Sequence, residues 1–193
     1  MRTETMLKWT LPLASGLFAL LLPLMAFALD VGPAVGAKAP PIVGKTWEGR
    51  AASLASITGP KGAVVVFHRS AAWCPFCQAQ LIALKDAQAP LMAEGYSLVA
   101  ISYDAPEVLA QFKARREIGY PLLSDTGSAT IKAFNLLDPQ YPPGHRAYGV
   151  PQPAIFVLSR SGVVQAKLAE EGYRNRPPVS AVLDAVKAAS ARP

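Results

Sequence analysis

Cysteine and histidine are scarce in this 193-residue chain, which has two of each. Cys74 and Cys77 lie three residues apart, while His68 and His145 stand alone. A four-ligand zinc site needs a second cysteine pair or a histidine pair, and the sequence has neither. A covalently attached c-type haem needs a histidine directly after the second cysteine, and Gln78 is there instead. No metal and no organic cofactor is therefore expected. Charge is also sparse, at 17% of residues, with a formal net charge of +6. The basic residues are scattered. Only Lys113, Arg115 and Arg116 cluster, beside Glu107 and Glu117, which reads as a solvated helix face. Aromatic residues do not interleave with basic ones, so a nucleic-acid partner is not expected. There is no internal repeat and no low-complexity tract. A 51% hydrophobic composition at this length suits one globular domain.

The only long uncharged apolar run is at the N-terminus. Arg2 and Lys8 precede it, Leu11 to Leu29 carries no charge, and Ala26-Phe27-Ala28 offers a small-x-small cleavage pattern before Asp30. This is the pattern of a secretory signal peptide, residues 1–28, with a mature domain over 29–193. Pro12 and Pro23 interrupt the run, and its core is short for a spanning helix, so cleavage is favoured over an uncleaved anchor. The expected location is periplasmic or secreted, with no membrane association after cleavage.

Past that segment, residues 31–60 are rich in Gly, Pro, Ala and Ser. Ile42-Val43 and Leu54 to Ile57 suggest one or two short strands there. Ala63-Val64-Val65-Val66-Phe67-His68, bounded by turn residues, reads as a buried central strand. Pro75 suits the first turn of a helix. Leu81, Leu84, Lys85, Ala87, Leu91 and Met92 carry that helix toward a stop at Gly95. Tyr96 to Ser102 is the next strand, 106–117 an amphipathic helix, Leu122-Leu123 a short strand and Gly127 to Phe134 a small helix. Pro139 to Gly149 is a loop. Pro153 to Leu158 and Val163 to Leu168 form a hairpin, and Pro177-Pro178 open a last helix. Alternating strands and helices imply an α/β fold. Its central sheet is expected to be mostly parallel, made mixed by the terminal hairpin, with helices on both faces.

This order puts Cys74 at the carboxyl end of a strand and the amino end of a helix, where open α/β sheets place their sites. A disulfide closing so short a loop hardly constrains the unfolded chain, so redox chemistry explains the pair better than stapling. A free thiol is only about 3% thiolate at neutral pH. Unpaired N–H groups and the helix dipole favour negative charge at Cys74 and make it the nucleophile. Cys77, one turn inside the helix, lacks those donors and resolves the mixed disulfide or sulfenic acid formed at Cys74. Trp73 and Phe76 supply apolar surface beside the sulfurs. His68 reads as a packed histidine rather than a base, and Arg69 is close enough in sequence to influence the thiolate.

These same residues resemble the alkyl hydroperoxide reductase/thiol-specific antioxidant (AhpC/TSA) family of the thioredoxin superfamily. The likeness runs through Val35-Gly36-Ala37-Lys38-Ala39-Pro40, Ser53 to Ile57 with Gly59 to Phe67, the block Phe67 to Leu84, and Phe156-Val157-Leu158 with Gly162. It implies a thioredoxin-like fold and an attacking cysteine at Cys74. Three family features are missing: the usual loop proline is absent between Phe67 and Cys74, and two residues are replaced. Ala71 stands where a Thr or Ser precedes the peroxidatic cysteine, with Ser70 one residue away as its substitute. Pro153 stands where a later arginine is usual. Trp73-Cys74-Pro75-Phe76-Cys77 with Pro153 resembles the thioredoxin-type branch, in which a proline, usually cis, faces the dithiol and shapes the docking surface; Pro151 is the rival for that place. The expected activity is thus thiol–disulfide exchange with protein or small-molecule disulfides. The alternative is a thiol-dependent peroxidase acting on hydroperoxides. A separate electron donor is implied.

Overall fold

The computed structural model describes residues 30–172 and 174–191; the expected signal peptide lies outside them. Seven strands form one sheet in the order β2-β1-β5-β4-β3-β6-β7. The strands are β1 (Val43–Thr46), β2 (Ala51–Ser53), β3 (Gly62–Phe67), β4 (Tyr96–Ser102), β5 (Leu122–Ser124), β6 (Ala154–Ser159) and β7 (Val164–Leu168). The helices are α1 (Leu54–Ile57), α2 (Pro75–Ala83), α3 (Lys85–Ala93), α4 (Pro106–Arg116), α5 (Ala129–Ala133) and α6 (Val179–Ser190).

Strand β3 is the axis of the fold, and every one of its residues is buried. It runs parallel to β4 and antiparallel to β6, with Val65 opposite Val99 on one side and Phe156 on the other. Successive side chains alternate between the two faces. Val64 and Val66 join one core with Leu81, Leu84 and Leu91 of the α2–α3 segment, Phe112 of α4 and Val182 and Val186 of α6. Val65 and Phe67 join the other with Ile42, Ile131, Phe134 and Phe156. There Phe67, Phe134 and Phe156 pack at ring-centroid distances of 4.8–5.8 Å. Full burial of each such ring contributes about 1.5–3 kcal/mol. A run that is apolar at every position, and not at alternate ones, is what a strand needs when both faces are covered.

Three details depart from the sequence reading. The sheet is mixed but not mostly parallel. Only the β3–β4 and β4–β5 pairs are parallel, because the N-terminal strands and the β6–β7 hairpin add antiparallel neighbours at both sides. Leu54–Ile57 is a helical turn, with Ser53 and Ser56 exchanging capping hydrogen bonds. The helix expected to run to Gly95 is two helices meeting at Leu84. Pro90 lies inside α3, beyond that break, where it removes one N–H from the helix ladder. Among the described residues, no helix is long and apolar enough to cross a membrane.

The start of β3 tolerates no side chain. A Cβ added at Gly62 would collide with the Leu158 backbone carbonyl on the neighbouring strand and lie 2.8 Å from the Tyr96 ring. Gly62→Ala is expected to lower stability by about 1–3 kcal/mol through overpacking, read from urea denaturation. An unchanged midpoint would contradict the close approach of β3 and β6.

Candidate active site

The chain leaves β3 at Phe67 and makes one loop before α2. His68 donates its backbone N–H to the Ile101 carbonyl and so continues the β3–β4 edge by one residue. The loop is then held by Asp104, just past the end of β4. Its Oδ1 accepts from the Ser70 hydroxyl at 2.7 Å, and its Oδ2 accepts from the Ala71 N–H at 2.7 Å and the Ser102 hydroxyl at 3.0 Å. Ser70 Oγ in turn accepts from the Ala72 N–H at 2.9 Å. From the other side, the Gln78 amide donates to the Ala71 and Ala72 carbonyls. A carboxylate satisfied by three donors is a strong anchor in a buried site.

Cys74 is the N-cap of α2, with Pro75 as its first residue. Its Sγ accepts the Cys77 N–H at 3.2 Å, the side-chain capping geometry normally supplied by Ser or Asp. Cys74 and Cys77 are joined as a disulfide, with Cα atoms 5.2 Å apart. Cys74 is 2% exposed and Cys77 not at all. Trp73 is 45% and Phe76 38% exposed, so the sulfurs sit below two apolar side chains open to solvent.

Charge surrounds the pair. The Arg69 guanidinium is buried, lies 5.2 Å from the Trp73 ring centroid and 5.3 Å from that of Tyr141, and faces the Asp138 carboxylate at 3.8 Å. It donates to the Tyr141 hydroxyl at 2.5 Å. Arg176, from the stretch before α6, places Nη2 at 3.3 Å from Cys77 Sγ and 3.9 Å from Cys74 Sγ. His68 is fully buried. Burial pushes its pKa down to about 4, against the Asp104 carboxylate, which raises it, while Arg176 lowers it further. The imidazole is therefore neutral at physiological pH. A cleft of about 370 Å³ lined by Arg69, Trp73, Cys74, Pro75, Phe76 and Tyr141 opens onto the disulfide. A second of about 450 Å³ shares Trp73 and Tyr141 with it and adds Tyr103, His145 and Arg146.

The structure brings Trp73, Cys74, Phe76 and Cys77 together as the sequence implied. Trp73 does more than flank the motif, since its Nε1 donates to the Tyr103 hydroxyl at 3.0 Å. Pro153 departs from expectation. No peptide bond among the described residues is cis. The proline precedes β6 in a trans linkage and lines a different cleft, with Asp138, Gln152 and Glu170. Ser70 does not replace the missing family hydroxyl, because its Oγ is fully buried and committed to Asp104 and the loop amide. Asp104 and Arg176 escaped the sequence reading. Asp104 carries one weak clue, a carboxylate just past the end of a predicted strand; Arg176 carries none beyond the two prolines after it.

A strand leading through one loop into a Cys-x-x-Cys pair at a helix N-terminus, on a mixed sheet covered on both faces, defines a thioredoxin-like redox protein. The family model for the AhpC/TSA family matches residues 35–167. The chain belongs to that family and is an enzyme of thiol redox chemistry. It is 28% identical over 130 residues to a protein assigned as peroxiredoxin bcp of Haemophilus influenzae, covering 67% of this chain and 82% of that one. It is 30% identical over 129 residues to a Mycobacterium tuberculosis protein assigned as a peroxiredoxin, covering 67% and 80%. A peroxiredoxin-like protein from Aquifex aeolicus has the same fold, with a TM-score of 0.70 at 20% identity over 82% of this chain and 90% of that one.

The buried His68 has a measurable consequence. An unfolded histidine titrates near 6.5, whereas the folded one stays neutral down to about 4. Between those values the unfolded chain takes up a proton that the folded protein refuses, so stability falls as pH drops through that window. Urea midpoints from pH 7 to pH 4.5 should decline more steeply for the native protein than for His68→Phe. Equal slopes would mean that His68 is protonated in place.

Proposed function

We propose that this protein is an exported thiol-dependent peroxidase that reduces hydroperoxides with Cys74 and resolves with Cys77. Its first 28 residues support export. The observation that carries the activity is the placement of the pair, in a chain of this family. Cys74 caps α2, accepts the Cys77 N–H and is already bonded to it. The relatives named above support a peroxide substrate over the disulfide substrate that the Cys-x-x-Cys motif first suggests.

The chemistry balances with these two residues and an outside thiol donor. The Cys74 thiolate attacks the terminal oxygen of a hydroperoxide, the O–O bond breaks, and an alcohol or water leaves after protonation. Cys74 becomes a sulfenic acid. The Cys77 thiol displaces its hydroxyl as water and forms the disulfide. Two donor thiols then restore the dithiol and leave as their own disulfide.

A second reading is thiol–disulfide exchange with a disulfide-bearing partner. The exposed Trp73 and Phe76 beside the sulfurs favour it as a docking surface.

Magnitudes separate the two. Full ionisation of a thiol that is about 3% thiolate gains about 30-fold in rate. A thiol pKa lowered by about two units loses about eightfold in intrinsic nucleophilicity. The net gain over free cysteine is about fourfold, so anything beyond about tenfold requires a polarised peroxide. Stopped-flow tryptophan fluorescence of the reduced protein with hydrogen peroxide and an organic hydroperoxide measures this directly. A rate constant well above tenfold over free cysteine, lost in Cys74→Ser, is the expected result. A rate near fourfold, with fast reduction of a disulfide substrate, would replace the peroxidase reading with the exchange one.

A further inference from the structure

The family match ends at residue 167, and a guanidinium that meets both sulfurs comes from beyond it. Arg176 sits between β7 and α6 and is followed by Pro177 and Pro178. A residue before proline is confined to extended backbone, which removes the helical alternative at Arg176. Two turns later α6 is anchored, with Val182 and Val186 fully buried in the core. The stretch is thus a short stiff arm fixed to the domain at its far end. It holds Nη1 on the Asn175 carbonyl at 2.6 Å and Nη2 at both sulfurs, 0.6 Å nearer to Cys77 than to Cys74.

The sulfurs differ in access as well. Cys74 is 2% exposed and Cys77 fully buried, and only Cys74 lines the cleft that opens onto the pair. A donor thiolate therefore reaches Cys74. Its attack forms a mixed disulfide at Cys74, breaks the Cys74–Cys77 bond and sends the electron pair to Cys77 Sγ. That leaving thiolate has no carbonyl-end dipole to oppose it and one guanidinium fork 3.3 Å away.

We propose that Arg176 receives the leaving Cys77 thiolate when the disulfide is reduced, and holds negative charge on the reduced pair. This rests on the reading of Cys74 and Cys77 as a working dithiol, and it assigns the reductive half of the cycle to a residue outside the family match. The cation survives at neutral pH. Burial, with a contribution from Arg69, lowers the Arg176 pKa only to about 10. Neutral His68 adds no competing charge. A thiol with a lower pKa leaves faster from a disulfide, and a stabilised thiolate makes the disulfide a stronger oxidant. Arg176 is then a kinetic and a thermodynamic aid to the same step.

The experiment compares the full chain with Arg176→Lys, Arg176→Gln and Arg176→Met. The reduced proteins are titrated by thiolate absorbance near 240 nm. The oxidised ones are reduced with dithiothreitol under stopped flow and equilibrated in glutathione redox buffer, with thermal melting as the check on folding. An opposite charge at this distance moves a pKa by about 1–3 units. Gln or Met should therefore raise the thiolate midpoint by about one unit or more. Each should also slow reduction by dithiothreitol severalfold and shift the glutathione equilibrium toward the disulfide. Lys, which keeps the charge, should stay close to the native protein in all three. Folded Gln and Met variants with native midpoints and rates would overturn the proposal, as would a folded Lys variant that falls as far as Gln. If the function itself is misread, peroxide and disulfide turnover will both be absent while the thiolate midpoints still move with Arg176.

Discussion

Everything near the sulfurs depends on where β3 stops. The strand is paired on both edges and covered on both faces, so its end is a fixed point in the molecule. The next seven residues must bridge from that point to the first turn of α2. A loop so short could adopt several paths, and the Asp104 carboxylate selects one by taking donors from Ser70, Ala71 and Ser102. Replacing any of these donors leaves a buried acceptor short of a partner, which costs about 1–3 kcal/mol. The anchor is thus a packing constraint and an electrostatic one together. It fixes Cys74 as N-cap from one side while the Gln78 amide fastens the same loop to α2 from the other.

The charges around this loop divide the labour. Arg69 is absorbed by Asp138, Tyr141 and the Trp73 face, so it works as the floor of the cleft. Arg176 faces the sulfurs. Two guanidinium groups in one site repel, and Arg69 is among the causes that lower the Arg176 pKa. That repulsion is tolerable only if anions are near, and Asp104 and Asp138 are both buried within this region. A thiolate formed on reduction would be a third anion, next to the cation placed for it. Burial keeps His68 from adding another positive charge.

The sequence made legible what depends on local pattern. The β-branched run of β3, the proline after Cys74, the amphipathic α4 and the turn between β6 and β7 each carry their own signal within a few residues. The Cys-x-x-Cys pair needs no tertiary knowledge to be recognised, because its neighbours in sequence supply its environment. What was illegible was set by distance along the chain. Asp104 lies 34 residues from Ser70, and Arg176 lies 99 from Cys77. Neither partner leaves a mark on the other's sequence. Leu54–Ile57 was read as extended because four apolar and small residues fit a short strand or one helical turn equally well, and the Ser53–Ser56 capping pair decided it. The trans state of Pro153 likewise depends on surroundings, since a prolyl bond has only a weak intrinsic preference.

Access bears on which substrate the site takes. The two sulfurs lie beneath Trp73 and Phe76, at the base of a cleft of about 370 Å³. In the proposed reaction a hydroperoxide has only one small oxygen to bring to Cys74. A disulfide on a folded partner must bring two sulfurs and their flanking backbone to the same cleft. Pro153 lines another cleft and is not among the residues around this one. The open aromatic surface at Trp73 and Phe76 then has a natural use in the other half of the cycle, where a thiol donor must approach the oxidised pair. In the proposed peroxidase cycle, peroxide reduction asks for little room, and reduction of the disulfide asks for a landing surface beside the cleft.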